Sequence, residues 1–225
     1  CNIDVLADKH RVESCVERFG FGYTEALDTR YKLIHRQTHD FAKLPHMNDI
    51  IGPITNPLAP LKQKRKIIGV NHLIPGRVVA EAYQILNERG VTYLERGFFV
   101  RGFVDKERSH GGMDEVSICE GGTHIVEFDH GVITEYDVYP ADFGISPAPV
   151  SALMPEANKG EYSLRLLKGE RNGPGLSMIF ANAALIFLLA DRVTNLRDGF
   201  LLAKQVFESG RPYQLMQEIQ RFIPH

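Results

Sequence analysis

The chain has 225 residues, 44% of them hydrophobic, enough to bury a sizeable core within one domain. Its 26 basic and 28 acidic side chains leave a formal charge of -2, so no overall electrostatic footprint marks it for nucleic acid or an anionic membrane. Three scattered cysteines, Cys1, Cys15 and Cys119, form no CxxC pair, which argues against a disulfide framework and for the reducing cytoplasm. The most apolar run, residues 176–190, contains Asn182 and falls short of the about 20 residues that span a bilayer; it reads as a buried helix. No signal peptide is visible, and the missing initiator methionine points to a fragment or a processed piece.

In chain order, Asp8 caps a predicted helix with an apolar stripe of Val12, Cys15, Val16 and Phe19, ended by Gly20. A second helical pattern starts at Asp28, runs through Tyr31, Leu33 and Ile34, and stops before Pro45. Three prolines make residues 50–60 (IIGPITNPLAP) an irregular loop of fixed backbone, either a site lining or a connector. Lys62, Lys64, Arg65 and Lys66 read as a solvated approach to a strand, with a phosphate-facing patch as the alternative. Residues 66–70 are β-prone. Pro75 opens a helix with Val78, Val79, Ala82, Tyr83, Ile85 and Leu86 on its apolar face, and Gly90 ends it. The next strand lies within residues 91–100, so the order strand–helix–strand predicts a parallel pair with a right-handed crossover. The GxGxxG fingerprint is absent, which argues against a dinucleotide fold. Residues 123–128 and 132–138 flank Asp129-His130-Gly131 as a hairpin. A short helix at 164–168, a break at Gly173-Pro174-Gly175, the apolar helix, and helices over 197–208 and 213–222 complete the chain.

The chemistry-bearing stretch is 109–144, SHGGMDEVSICEGGTHIVEFDHGVITEYDVYPADFG. Glycines let a backbone approach a ligand closely, and the adjacent Asp114 and Glu115 suit a hard cation such as Mg²⁺ held together with substrate phosphates. On the residues alone, a merely solvated acidic pair is the preferred reading and the cation site the alternative. His35 and His39 share a helical face, but Arg-Gln-Thr between them is not HExxH, and no third ligand is evident. Gly121-Gly122-Thr123 leads into a strand rather than a helix N-terminus and reads as a turn. Cys119 reads as core, not nucleophile.

Five segments in this order, IIGPITNPL (50–58), IIGV (67–70), GGMDEVSI (111–118), THIVEFDHGVITEYDVYPADFGI (123–145) and FANAALIFLLA (180–190), resemble the anthranilate phosphoribosyltransferase family. That family sits in the glycosyltransferase family 3 and nucleoside phosphorylase II superfamily. The resemblance implies an α/β fold, a mixed sheet flanked by helices, as in the large domain of these enzymes, here as one incomplete domain over residues 1–225 without the N-terminal helical domain. It implies phosphoribosyl transfer from phosphoribosyl pyrophosphate to anthranilate or a related aromatic amine in tryptophan biosynthesis, with catalysis by positioning and charge stabilisation and no catalytic side chain assigned. Asp114 and Glu115 would bind Mg²⁺, and Gly52 and Pro53 would line the acceptor side. The family's carboxylate-binding arginine has Arg36 as its nearest counterpart here and His39 in ungapped register. The intact protein would be a cytoplasmic homodimer, off the membrane.

Several family features are not reproduced. The GTGGD, Asn-x-Ser-Thr and Lys-His-Gly-Asn phosphate loops do not occur, residues 35–46 lack the Val-Arg-x-x-Leu-Gly-x-Arg-Thr pattern, an insertion occupies about 103–109, and Leu176-Ser177 replace Arg-Asp. The expectation is therefore a chain matching the C-terminal two-thirds of such an enzyme and inactive alone. The alternatives are a non-catalytic relative that binds nucleic acid or a protein partner, and a nucleoside phosphorylase relative.

Overall fold

The computed structural model describes residues 9–23, 54, 63–109, 112–153 and 158–223. The chain divides into two compact units, one of Cys1–Lys62 with Gly210–His225 and one of Gln63–Ser209. In the first, helix α1 (Lys9–Phe19) packs with the chain's last helix, Arg211–Phe222, around Cys15, Ile219 and Ile223. Phe19 and Phe222 meet edge to face at 5.5 Å, with the Arg18 guanidinium over both rings. Gly20, at φ 70, ends α1 as expected from its place after the apolar stripe.

The second unit is an α/β layer structure. Strand β1 (Arg65–Gly69) pairs in parallel with β2 (Arg96–Gly102), and β3 (Thr123–Asp129) and β4 (Val132–Val138) follow antiparallel, in the order β1-β2-β3-β4. The mixed sheet and the parallel first pair agree with the sequence reading. Helix α2 (Gly76–Glu88) connects β1 to β2. Its buried residues are Gly76, Val79, Ala80 and Tyr83, Ala82 and Leu86 are half-buried, and Val78 and Ile85 are exposed, so the apolar face is narrower than expected. The linear pattern merges two faces of this helix into one.

Strand β2 is buried on both sides, which explains its unbroken apolar run Phe98-Phe99-Val100. Phe99 stacks on Tyr83 of α2 at 5.8 Å, and Phe98 and Val100 enter the main core on the opposite face. The β3–β4 hairpin turns through His130 (φ 47) and Gly131 (φ 89), the left-handed pair that a two-residue turn demands. Pro140–Phe143 then forms a 3-10 turn, closed by Gly144 in the left-handed region.

The opposite layer consists of α3 (Val150–Leu153), α4 (Lys159–Leu167), α5 (Pro174–Leu189) and α6 (Leu196–Glu208); Arg211–Phe222 is α7. Helix α4 is longer than its apolar pattern foretells, because Asn158 caps it by accepting from the Glu161 amide. Pro174 takes the first turn of α5, the apolar helix foreseen at 176–190. Helix α6 lies close on α5 at Gly199, where a Cβ would stand 2.9 Å from the Ala184 carbonyl oxygen. Two strand arginines complete the C-terminus of α5: Arg65 donates to the Leu189 carbonyl at 2.8 Å and Arg96 to the Leu188 carbonyl at 3.4 Å. Among the described residues, no helix is long and apolar enough to cross a membrane.

Candidate functional site: an acidic corner at the strand ends

The parallel strands β1 and β2 end at Gly69 and Gly102, and the segment carrying Asp114 and Glu115 runs across those ends. Carboxyl ends of parallel strands are where open α/β sheets place their ligands. Two glycines make the approach possible. A Cβ on Gly69 would lie 1.9 Å from the Asp114 carbonyl oxygen, and one on Gly102 would lie 2.5 Å from that of Glu115. Gly102 and Met113 exchange both backbone hydrogen bonds, each at 2.8 Å, as an isolated antiparallel bridge. Gly112, at φ 85, makes the turn into this bridge, with the Arg101 side chain lying against it.

Beyond the pair, the chain dives inward. Val116 and Ile118 are core residues, and Ser117 is fully buried. The Ser117 hydroxyl donates to the Phe103 carbonyl at 2.7 Å, and its amide donates to Thr123 Oγ1 at 2.8 Å. The segment 103–109, expected as an insertion, is fastened as well. Arg108 Nε donates to the Gly121 carbonyl at 3.1 Å, and its guanidinium stacks 4.4 Å from the Phe103 ring and pairs with Asp137.

Asp114 and Glu115 themselves stay exposed at this rigid corner. Glu115 is open on its outer side, yet the protein packed behind it and, secondarily, the neighbouring charge of Asp114 raise its carboxyl above the usual Glu value. Two adjacent carboxylates whose charges oppose each other are a donor set for a hard metal ion. Among the described residues no group of three or more His, Cys, Asp or Glu side chains gathers, so the pair supplies only part of a coordination shell.

The other sequence-based candidates, Arg36, His39, Gly52 and Pro53, lie outside the described residues, as does Lys62. The basic run is largely committed within the fold. Lys64 pairs with Glu95 and Arg65 with Asp191. The Lys66 ammonium sits 5.7 Å from the Tyr83 ring centre, where burial lowers its pKa to about 8. These three charges do not form a free phosphate-facing patch. Gly121-Gly122 is a buried turn, and Cys119 a buried free thiol raised by desolvation, both as read from the sequence.

Sequence reasoning gave no role to Gly69, Gly102 and Asn182. Asn182 Oδ1 accepts from the Val116 amide at 2.9 Å and its Nδ2 donates to the Val116 carbonyl at 3.1 Å. The available signal was a lone carboxamide inside an otherwise apolar helix.

Among characterised proteins, the anthranilate phosphoribosyltransferase of Rubrobacter xylanophilus is 30% identical over 217 residues, covering 95% of this chain and 57% of that protein. That of Haloferax volcanii is 29% identical, covering 92% and 58%. The crystal structure of the Thermus thermophilus enzyme superposes with a TM-score of 0.69 at 25% identity, covering 99% of this chain and 61% of that one. The Saccharomyces cerevisiae enzyme in complex with PRPP and Mg has the same fold, with a TM-score of 0.65 at 20% identity. The chain thus spans less than two thirds of the length of these relatives. Residues 1–213 match the glycosyl transferase family, a/b domain, and the chain belongs to that family.

Proposed function

We propose that the intact protein transfers a phosphoribosyl group from phosphoribosyl pyrophosphate to an aromatic amine, with anthranilate as the first acceptor to try. The observation that carries this reading is the acidic corner: Asp114 and Glu115 fixed across the carboxyl ends of β1 and β2 in a chain of this family. The two carboxylates would hold Mg²⁺, a fit supported by their all-oxygen donor set and by their place across the strand ends. Bound there, the ion would supply charge neutralisation for a departing pyrophosphate. The chain's own part is to orient the pair and to keep its backbone from moving.

Gly52 and Pro53, with Arg36 or His39, are proposed to line the acceptor side. The 225 residues alone are expected to turn nothing over, since no GTGGD phosphate loop occurs in them. We place the intact protein in the cytoplasm as a homodimer, consistent with the free buried thiols of Cys15 and Cys119. Isothermal titration of phosphoribosyl pyrophosphate, with and without Mg²⁺, tests the site. Magnesium-dependent heat that vanishes in the Asp114→Asn/Glu115→Gln variant is the expected result. Equal heat in both proteins would remove the metal role from these carboxylates.

A further inference from the structure

Helix α5 is apolar on nearly every side, yet carries a carboxamide at its middle. Asparagine is a mediocre helix former, and burying an amide without partners costs roughly 1–3 kcal/mol. Asn182 is half-buried, and it makes three hydrogen bonds. Besides the two bonds to Val116, Nδ2 donates to the Met178 carbonyl one turn back at 2.9 Å, which fixes the side chain's rotamer. Asn182 thus satisfies both backbone polar groups of Val116, the residue that follows Glu115.

The acidic pair is in effect a two-residue span between two anchors. Met113 is bonded on both sides to Gly102, and Val116 is bonded on both sides to Asn182. A leucine at 182 would fill similar space but leave the Val116 amide and carbonyl without these partners. We propose that Asn182 is a positioning residue for the acidic corner: by pairing with the Val116 backbone as a strand would, it holds Asp114 and Glu115 ready for a cation. Preorganisation of this kind strengthens binding, because less chain must be ordered when the ligand arrives. The cation half of the proposal rests on the metal reading given above; the backbone lock does not.

The test combines amide exchange followed by NMR with Mn²⁺ binding followed by electron paramagnetic resonance, on the protein and three variants. In Asn182→Leu the Val116 amide should exchange at least about tenfold faster while the β3–β4 hairpin keeps its protection. Mn²⁺ affinity should fall by about tenfold, the usual scale for losing support behind a metal ligand. Asp114→Asn/Glu115→Gln should abolish Mn²⁺ binding and leave Val116 exchange unchanged, which separates ligand from positioner. Asn182→Asp, of nearly equal volume and still an acceptor for the Val116 amide, should fall between the wild type and Asn182→Leu in exchange; it decides the matter if the leucine variant does not fold. Wild-type exchange at Val116 in a folded position-182 variant overturns the lock. Faster exchange with unchanged Mn²⁺ affinity overturns the positioning role. A wild-type protein that takes up no Mn²⁺ overturns the metal reading, and with it the cation half, while the exchange data still decide the lock.

Discussion

At position 69 the sequence has no freedom, because the obstacle to a side chain is main chain: the Asp114 carbonyl oxygen, 1.9 Å from where a Cβ would be. Gly69→Ala must push β1 and the acidic segment apart, and should cost about 2–3 kcal/mol, the range of overpacking in a close-packed site. Gly131→Ala is the control, since Gly131 (φ 89) meets nothing within 4 Å and incurs only the backbone penalty of about 1 kcal/mol. Urea midpoints compare the two directly, and equal losses would contradict the account of Gly69. Asp114 and Glu115 stood out as candidates because they are adjacent and follow glycines, but only the family resemblance made them the preferred cation ligands. Their seat was not legible in the sequence. Gly69, Gly102 and Asn182 come from three other elements, and nothing in local periodicity announces a contact such as Val116–Asn182, 66 residues apart.

At the level of elements, the C-terminal end of α5 is held by two arginines of unequal weight. Arg96 binds Glu127 through Nε at 2.9 Å and Nη2 at 2.7 Å, and both side chains are mostly buried, 21% and 15% exposed. Glu127 also accepts from the Tyr136 hydroxyl. The Arg65–Asp191 pair is about half exposed and screened by water, so it should contribute little. Arg96→Met is therefore expected to destabilise the protein by about 2 kcal/mol, because it strands a mostly buried carboxylate. Arg65→Met should cost clearly less. Thermal melts of the two variants check the ranking, and an equal or reversed order would sink it. Element order was readable from breakers and periods: Gly20, Gly90 and Gly131 all occupy left-handed positions at the ends foreseen for them. The face of α2 was not, because Val78 and Ile85 look like core residues in a one-dimensional pattern. The face turned to the sheet carries Gly76, Val79, Ala80 and Tyr83 instead.

Over the whole molecule, the parallel β1–β2 pair followed from the alternation of strand and helix patterns and the β3–β4 hairpin from its turn, while the mixed-sheet fold and the family came from five ordered segments. The division into two units left no trace in charge, since residues 1–62 and 210–225 carry basic and acidic side chains in the same near balance as the rest. The clamp on Val116 also bears on the order of events in folding. The β3–β4 hairpin closes through a two-residue turn, whereas Val116 must wait for α5 to bring in Asn182, 66 residues further along the chain. Chain closure becomes entropically harder as the enclosed segment lengthens, and pairings distant in sequence form slowly. In a refolding experiment with pulsed deuterium labelling, amides of residues 123–138 should gain protection before that of Val116; simultaneous or earlier protection of Val116 would refute this order. The corner that we assign to the cation would then be among the last parts of the protein to mature, so a newly made chain would pass through a period in which its sheet is formed but its ligand-binding end is not.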